Sequence, residues 1–209
     1  MPQRVVIEAF KFDELSEEAK EKARDWWRVG GLDYEWWDIM YEDFLQVAVM
    51  LGIEINSRNN SPTIFFSGFC SQGDGACFEG SYSYTRMAHR KVREYAPQDT
   101  DLHEIADGLL ELQKANGYKI EAHMNQSGYY SHSGCMQVEV RRDRYHHLDG
   151  VFTDDDEEEV VTLMRGFADW MYSMLEKEHD WLNSDQTVDS NITCNDYLFT
   201  ADGSRSAYL

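Results

Sequence analysis

Two-residue hydrophobic periodicity, in stretches too short to be helical faces, most constrains this chain. From Ala76 to Tyr84, Phe78, Tyr82 and Tyr84 fall on one face and Glu79, Ser81 and Ser83 on the other. From Tyr118 to Asn125, Tyr118, Ile120, Ala122 and Met124 alternate with Lys119, Glu121, His123 and Asn125. From Cys135 to Arg141 the inward set is Met136, Val138 and Val140. Side chains of a strand point to opposite faces in turn, so each stretch reads as a half-buried strand. The first is preceded by an apolar run, Thr63–Cys70, across the turn Ser71-Gln72-Gly73-Asp74-Gly75; the other two are joined across 126–134. Both pairs read as antiparallel hairpins.

Between and around them the period changes to that of a helix. Ser16 followed by Glu17 and Glu18 is a helix start, and Ala19, Ala23, Trp26 and Trp27 continue it to Gly30-Gly31. A stripe of Trp37, Met40, Tyr41, Phe44, Leu45, Ala48 and Leu51 predicts a helix from about Tyr34 to Leu51. Short helices are expected at Arg86–Tyr95 and from a capping pair Asp101/Glu104 to Asn116. A long helix should follow the acidic run and end near Asn183, bearing Val160, Met164, Phe167, Met171, Leu175 and Leu182. A helix from Asp185 and strands at Val5–Phe10 and Tyr197–Phe199 complete the reading. The expected fold class is α+β: an antiparallel sheet built from two hairpins, packed against several long helices, in a single acidic domain over 1–209.

Charge decides which partners are excluded. The chain has 39 acidic and 19 basic residues, a net charge of −20. Residues 151–209 hold 14 Asp or Glu against Arg165, Lys177 and Arg205, or −11 by subtraction. Such a surface repels phosphate and disfavours direct binding of nucleic acid or anionic lipid. The run Asp154, Asp155, Asp156, Glu157, Glu158 and Glu159 is a candidate acidic surface, and it also suits a helix N-terminus. No apolar leader core opens the sequence, no membrane-length apolar window follows, and the four cysteines form no dense framework. A cytoplasmic protein with free thiols is expected.

The candidate site is the segment FSGFCSQGDGACFEG at 65–80. Ser71, Gln72, Gly73, Asp74 and Gly75 form its turn and Glu79 follows on the strand; His132 and Cys135 come from the second hairpin. Gly73 and Gly75 are expected in left-handed conformations, with Asp74 at least partly exposed at the hairpin tip and without an inward partner. Cys70, Cys77, His132 and Cys135 have the donor types of a zinc site, but their spacing is not that of a zinc module, so no metal or cofactor is assigned. Cys77 or Cys135 with His123 or His132 as base and Asp74 as orienter has the residue types of nucleophilic catalysis without a recognised spacing, so no residue is assigned as catalytic. Two basic clusters, Arg86, His89, Arg90, Lys91 and Arg93, and Arg141, Arg142, Arg144, His146 and His147, are read as partners for surrounding acids. The tryptophans at 26, 27, 36 and 37 are read as core or helix-packing residues in preference to a binding platform.

The order FDELSEEAKEKARDWW, YEDFLQVAVMLGIEI, FSGFCSQGDGACFEG, APQDTDLHEIADGL and SDQTVDSNITCNDYLFTADG resembles a family of phage and prophage accessory proteins, some labelled antitoxins of toxin–antitoxin stability systems. The resemblance implies a bacteriophage or prophage origin and action in the host bacterial cytoplasm. Three functions are expected in order. The first is inhibition of a host protein as counter-defence, with the acidic surface as a DNA mimic against a nucleic-acid-binding defence protein. The second is neutralisation of a co-encoded toxin. The third is a small-ligand binder or hydrolase built on the 71–75 loop.

Overall fold

A computed structural model describes residues 7–126, 128–142 and 152–205, the side chain of Arg142 excepted. Among them the chain forms ten short strands and six α-helices. In order these are β1 (Phe10–Lys11), α1 (Glu17–Gly30), α2 (Asp38–Leu51), β2 (Ile53–Ile55), β3 (Ser57–Arg58), β4 (Ser61–Pro62), β5 (Ile64–Ser67), β6 (Gly75–Phe78), β7 (Gly80–Ser83), α3 (Ala88–Tyr95), α4 (Thr100–Ala115), β8 (Ile120–Gln126), β9 (Met136–Arg142), α5 (Asp154–Leu182), α6 (Asp185–Cys194) and β10 (Leu198–Phe199). The fold class is α+β with antiparallel sheets, as expected. Backbone contacts group into two compact units, 1–36 with 177–209, and 37–176.

In the first unit, Ser16 caps α1 by accepting the Ala19 N–H, and Ser184 caps α6 by accepting that of Thr187. Phe12, Leu15, Ala19, Ala23, Val188, Ile192 and Phe199 form its core. The guanidinium of Arg24, only 8% exposed, grips Asp189 with two bonds of 2.7 and 2.8 Å and also meets Glu21. These carboxylates hold Arg24 far above the range in which it would lose its proton. Of the strand expected at Val5–Phe10 only Phe10 is a strand residue here, paired with Phe199; Val5 and Val6 lie outside the described residues.

In the second unit β2, β7, β8 and β9 form a four-stranded sheet in that order, and β5 pairs β6 separately. The inner rows are Ile53–Tyr82–Ala122–Val140 and Ile55–Gly80–Met124–Val138. The outer row is Glu54–Ser81–His123–Glu139. The segment Ala76–Tyr84, expected as one alternating strand, is broken at Glu79: its first half pairs β5 and its second half joins the main sheet. Thr63, 4% exposed, holds the break. Its N–H donates to the Asn56 carbonyl, its own carbonyl accepts the Glu79 N–H, and its hydroxyl lies 3.1 Å from the carbonyl oxygens of Asn56 and Glu79. Because β6 lies beyond this joint, all four of its residues are buried.

Helix α5 supplies the centre of this core. Phe167 meets Phe78 edge-on at 5.6 Å and stacks on Trp170, which in turn meets Phe44 of α2 at 5.4 Å. Gln113 of α4 donates to the Tyr82 hydroxyl and the Ile120 carbonyl and accepts the Ile120 N–H, tying helix to sheet. Three expectations are corrected. Helix α2 starts at Asp38, because the Trp36 N–H is engaged by the Tyr34 carbonyl in a turn before it. The cap of α4 is Asp99, not Asp101; its carboxylate accepts the Leu102 N–H and the Trp170 indole N–H. Tyr118 is 47% exposed, since it leaves α4 with φ of 62° before β8 begins.

Replacing Phe167 by Ala should cost about 3–5 kcal/mol, because its fully buried ring cannot be replaced by local collapse. Thr63→Val keeps the shape and removes only the bridging hydroxyl, and should cost about 1 kcal/mol. Urea unfolding midpoints of the two variants at neutral pH measure both.

Candidate functional site

The two hairpin turns meet. A Cβ on Gly75 would stand 2.9 Å from the His132 ring and 3.1 Å from its Cα, and one on Gly73 would stand 3.9 Å from the Tyr130 ring. Ser71, Gln72 and Gly73 are exposed, Asp74 is half-buried and Gly75 is buried. Glu79 sits at the strand break instead, paired with Arg58 at 3.5 Å. His132 and Cys135 are half-buried, and the His132 Nδ1 accepts the Gly134 N–H at 2.9 Å, closing the short turn Ser133–Cys135.

The glycine expectation is corrected. Neither Gly73 nor Gly75 has a positive φ; the left-handed residue is Gly68, with φ of 51°. A side chain at Gly68 would strike the Asp74 carboxylate, 2.2 Å from its Oδ2. Gly75 is glycine for space, since any Cβ would push against His132. Asp74 has inward partners after all: its Oδ2 accepts the N–H groups of Cys70 at 2.9 Å and Ser71 at 2.7 Å. Those two bonds hold the carboxyl below its ordinary pKa. The aspartate is therefore the internal tie of its own loop. Phe69 stacks on Tyr172 of α5 at 5.4 Å, which anchors the loop from behind, and burial first and Asp74 second raise the Tyr172 phenol.

Cys77 is not placed to act as a nucleophile. Cys77 is fully buried, and burial followed by the neighbouring Cys135 thiol pushes its pKa up to about 11. A thiol so placed stays protonated at neutral pH. Asp74 faces backbone N–H groups and His132 faces Gly134, while His123 stands on the outer sheet row beside Ser81 and Glu139. The four cysteines are free, and among the described residues no three His, Cys, Asp or Glu side chains are placed to hold a metal ion.

What the junction does present is aromatic. Tyr129 and Tyr130 meet edge-on at 5.7 Å and are 93% and 62% exposed. Sequence reading passed over them, although adjacent tyrosines inside a turn have no strand face to bury them. In the first basic cluster Arg93 grips Asp107, with one bond of 2.9 Å, and in the second Arg141 meets Glu139 at 3.4 Å. Arg144, His146 and His147 lie outside the described residues.

Two further concavities belong to the same unit. On the outer sheet face a depression of about 420 Å³ is lined by Asn56, Ser81, His123, Asn125, Glu139 and Arg141 among others. Between α4 and α5 runs a groove of about 360 Å³. Ile105, Leu163, Gly166 and Trp170 contribute its apolar lining, and Asp101, Glu104 and Asp169 carry carboxylates. No Lys or Arg lines it among the described residues. Of the acidic run at the start of α5, Asp156 accepts the Thr153 N–H and Thr153 accepts the Asp156 N–H, a reciprocal cap. The other five acids of the run are exposed.

Asp74→Asn should loosen the 68–75 loop without unfolding the chain, read as faster amide exchange at Cys70 and Ser71. The folded pKa is depressed, so the stabilisation is present above the ordinary value of 3.8 and is lost as pH falls through the lower folded value. The stability gap between wild type and variant should therefore close in acid, which paired urea titrations at neutral and strongly acidic pH will show.

Comparison with curated proteins and with solved structures gives no match. A family pattern covers residues 36–185, which include the whole 37–176 unit, the joined turns and the α4–α5 groove. The chain belongs to that family, described as Domain of unknown function (DUF8835).

Proposed function

We propose that the chain is a non-enzymatic binding protein that engages and inhibits a basic host protein in the bacterial cytoplasm, through the α4–α5 groove. The groove is the observation that carries this reading. Apolar floor and carboxylate rim together suit a partner segment with apolar residues on one face and lysine or arginine beside them. Exposed carboxylates attract such a segment over a Debye length and orient it before contact. The host setting rests on the resemblance to phage and prophage accessory proteins. Among the described residues no helix is long and apolar enough to cross a membrane.

Charge density separates partner docking from nucleic-acid mimicry. Helix α5 carries ten acidic residues in 29, which at about 1.5 Å per residue is one charge per roughly 4 Å. Duplex DNA carries one per about 1.7 Å. The helix alone reaches less than half that density, so the groove, with its shape, is the better-supported feature.

The test uses an amphipathic lysine–leucine helical peptide as probe. At about 50 mM salt it should bind the wild type, and the combined variant Asp101→Lys, Glu104→Lys, Asp169→Lys should bind about tenfold or more weakly, as three exposed charge contacts of roughly 0.5 kcal/mol each require. All three residues are exposed, so circular dichroism should be unchanged. Equal affinity of wild type and variant, or indifference to 0.5 M salt, would remove the groove as the site. A host protein captured by wild type but not by the variant, and inhibited by the wild type in its own assay, completes the case.

A further inference from the structure

A third concavity lies in the other unit, outside the family-matched span, and its chemistry is different. We infer that the depression walled by Trp26, Trp27 and Tyr197 is a recognition site for a cationic side chain of the arginine or alkylammonium class. The walls are three rings held at mutual angles. Trp26 meets Tyr197 at 5.2 Å and 79°, Trp27 meets Tyr197 at 5.9 Å and 50°, and the two indoles meet at 6.4 Å and 64°. All three pack on the core of their unit and remain half-buried, so their orientation is fixed before any ligand arrives.

Gly30 and Gly31 complete the lining, and the depression holds about 210 Å³. Gly31 cannot carry a side chain, because its Cβ would fall 2.4 Å from the Trp27 ring. The backbone therefore leaves room for a head group where any other residue would fill it.

Two observations identify the ligand as a cation. The chain's own Arg205 lies over the Trp26 and Tyr197 rings at 5.6 and 5.0 Å from their centroids, so two of the three rings already engage a guanidinium. The unit is also acidic: residues 1–36 and 177–209 hold 15 Asp or Glu against eight Lys or Arg, a net −7. Long-range field and local ring quadrupoles thus favour the same ligand.

The test is a titration of the full chain with Nα-acetyl-arginine methylamide and with tetramethylammonium chloride at constant ionic strength, followed at the six indole N–H resonances. Saturable shifts are expected at Trp26 and Trp27, assigned by Trp→Phe variants, and not at the exposed Trp181. The uncharged citrulline analogue should bind at least fivefold more weakly. Tyr197→Leu should weaken the arginine probe about fivefold. Should that variant fail to fold, Arg205→Gln serves instead, and is expected to strengthen binding about twofold because the resident cation leaves the shared rings. Equal binding of the citrulline analogue, or equal shifts at all six indoles, would overturn the inference. Neither probe depends on the α4–α5 groove, so this result stands or falls apart from the proposed function.

Discussion

Backbone hydrogen bonding at Thr63 and Glu79 is the constraint on which the larger unit depends. A strand that pairs with β5 over Gly75–Phe78 and with β2 and β8 over Gly80–Ser83 must change partners without leaving buried groups unpaired. Thr63 meets that requirement with its amide, carbonyl and hydroxyl together. Because the change of partner occurs there, β6 is buried along its length and the 68–75 loop is brought against His132. Gly80 belongs to the same joint: a Cβ would stand 2.3 Å from the Glu54 carbonyl oxygen, so only glycine lets the two strands close.

Acidic residues divide into two populations with different physics. Some satisfy internal donors. Asp74 ties its loop, Asp99 caps α4 and receives the Trp170 indole, Asp189 holds Arg24, and Asp202 closes a turn with Thr200 and Ser204 while meeting Lys22. Three of those four acids, Asp74, Asp99 and Asp202, accept from uncharged backbone, indole or hydroxyl donors. The rest, including most of the run at the start of α5 and the rim of the α4–α5 groove, project outward and create the field. A net charge of −20 is thus a mixture of local structural ties and a surface that selects partners by sign.

Much of the fold was readable because its signals are local. Ser16 as a cap, the break at Gly30-Gly31, the buried stripe from Val160 to Leu182 and the alternation of Ile120, Ala122 and Met124 each follow from a few neighbouring residues. The candidate loop was located for the same reason, since a cluster of small residues marks a turn. Its internal chemistry was not. Whether Asp74 faces water or two backbone N–H groups depends on how the chain returns past Gly68, and whether Gly75 needs a positive φ or empty space depends on His132, more than fifty residues away.

By itself the sequence determined the element types, the antiparallel α+β class, the sign of the surface and the place of the turn, because periodicity, capping and charge are written in nearest neighbours. Tertiary structure alone decided that one strand serves two partners, that Cys77 is a buried thiol and not a nucleophile, and that Asp101, Glu104 and Asp169 rim one groove. It also decided that Trp26, Trp27 and Tyr197 face a common depression. Those facts depend on which distant segments the packing brings together, and residue order along a chain does not specify distance across a core.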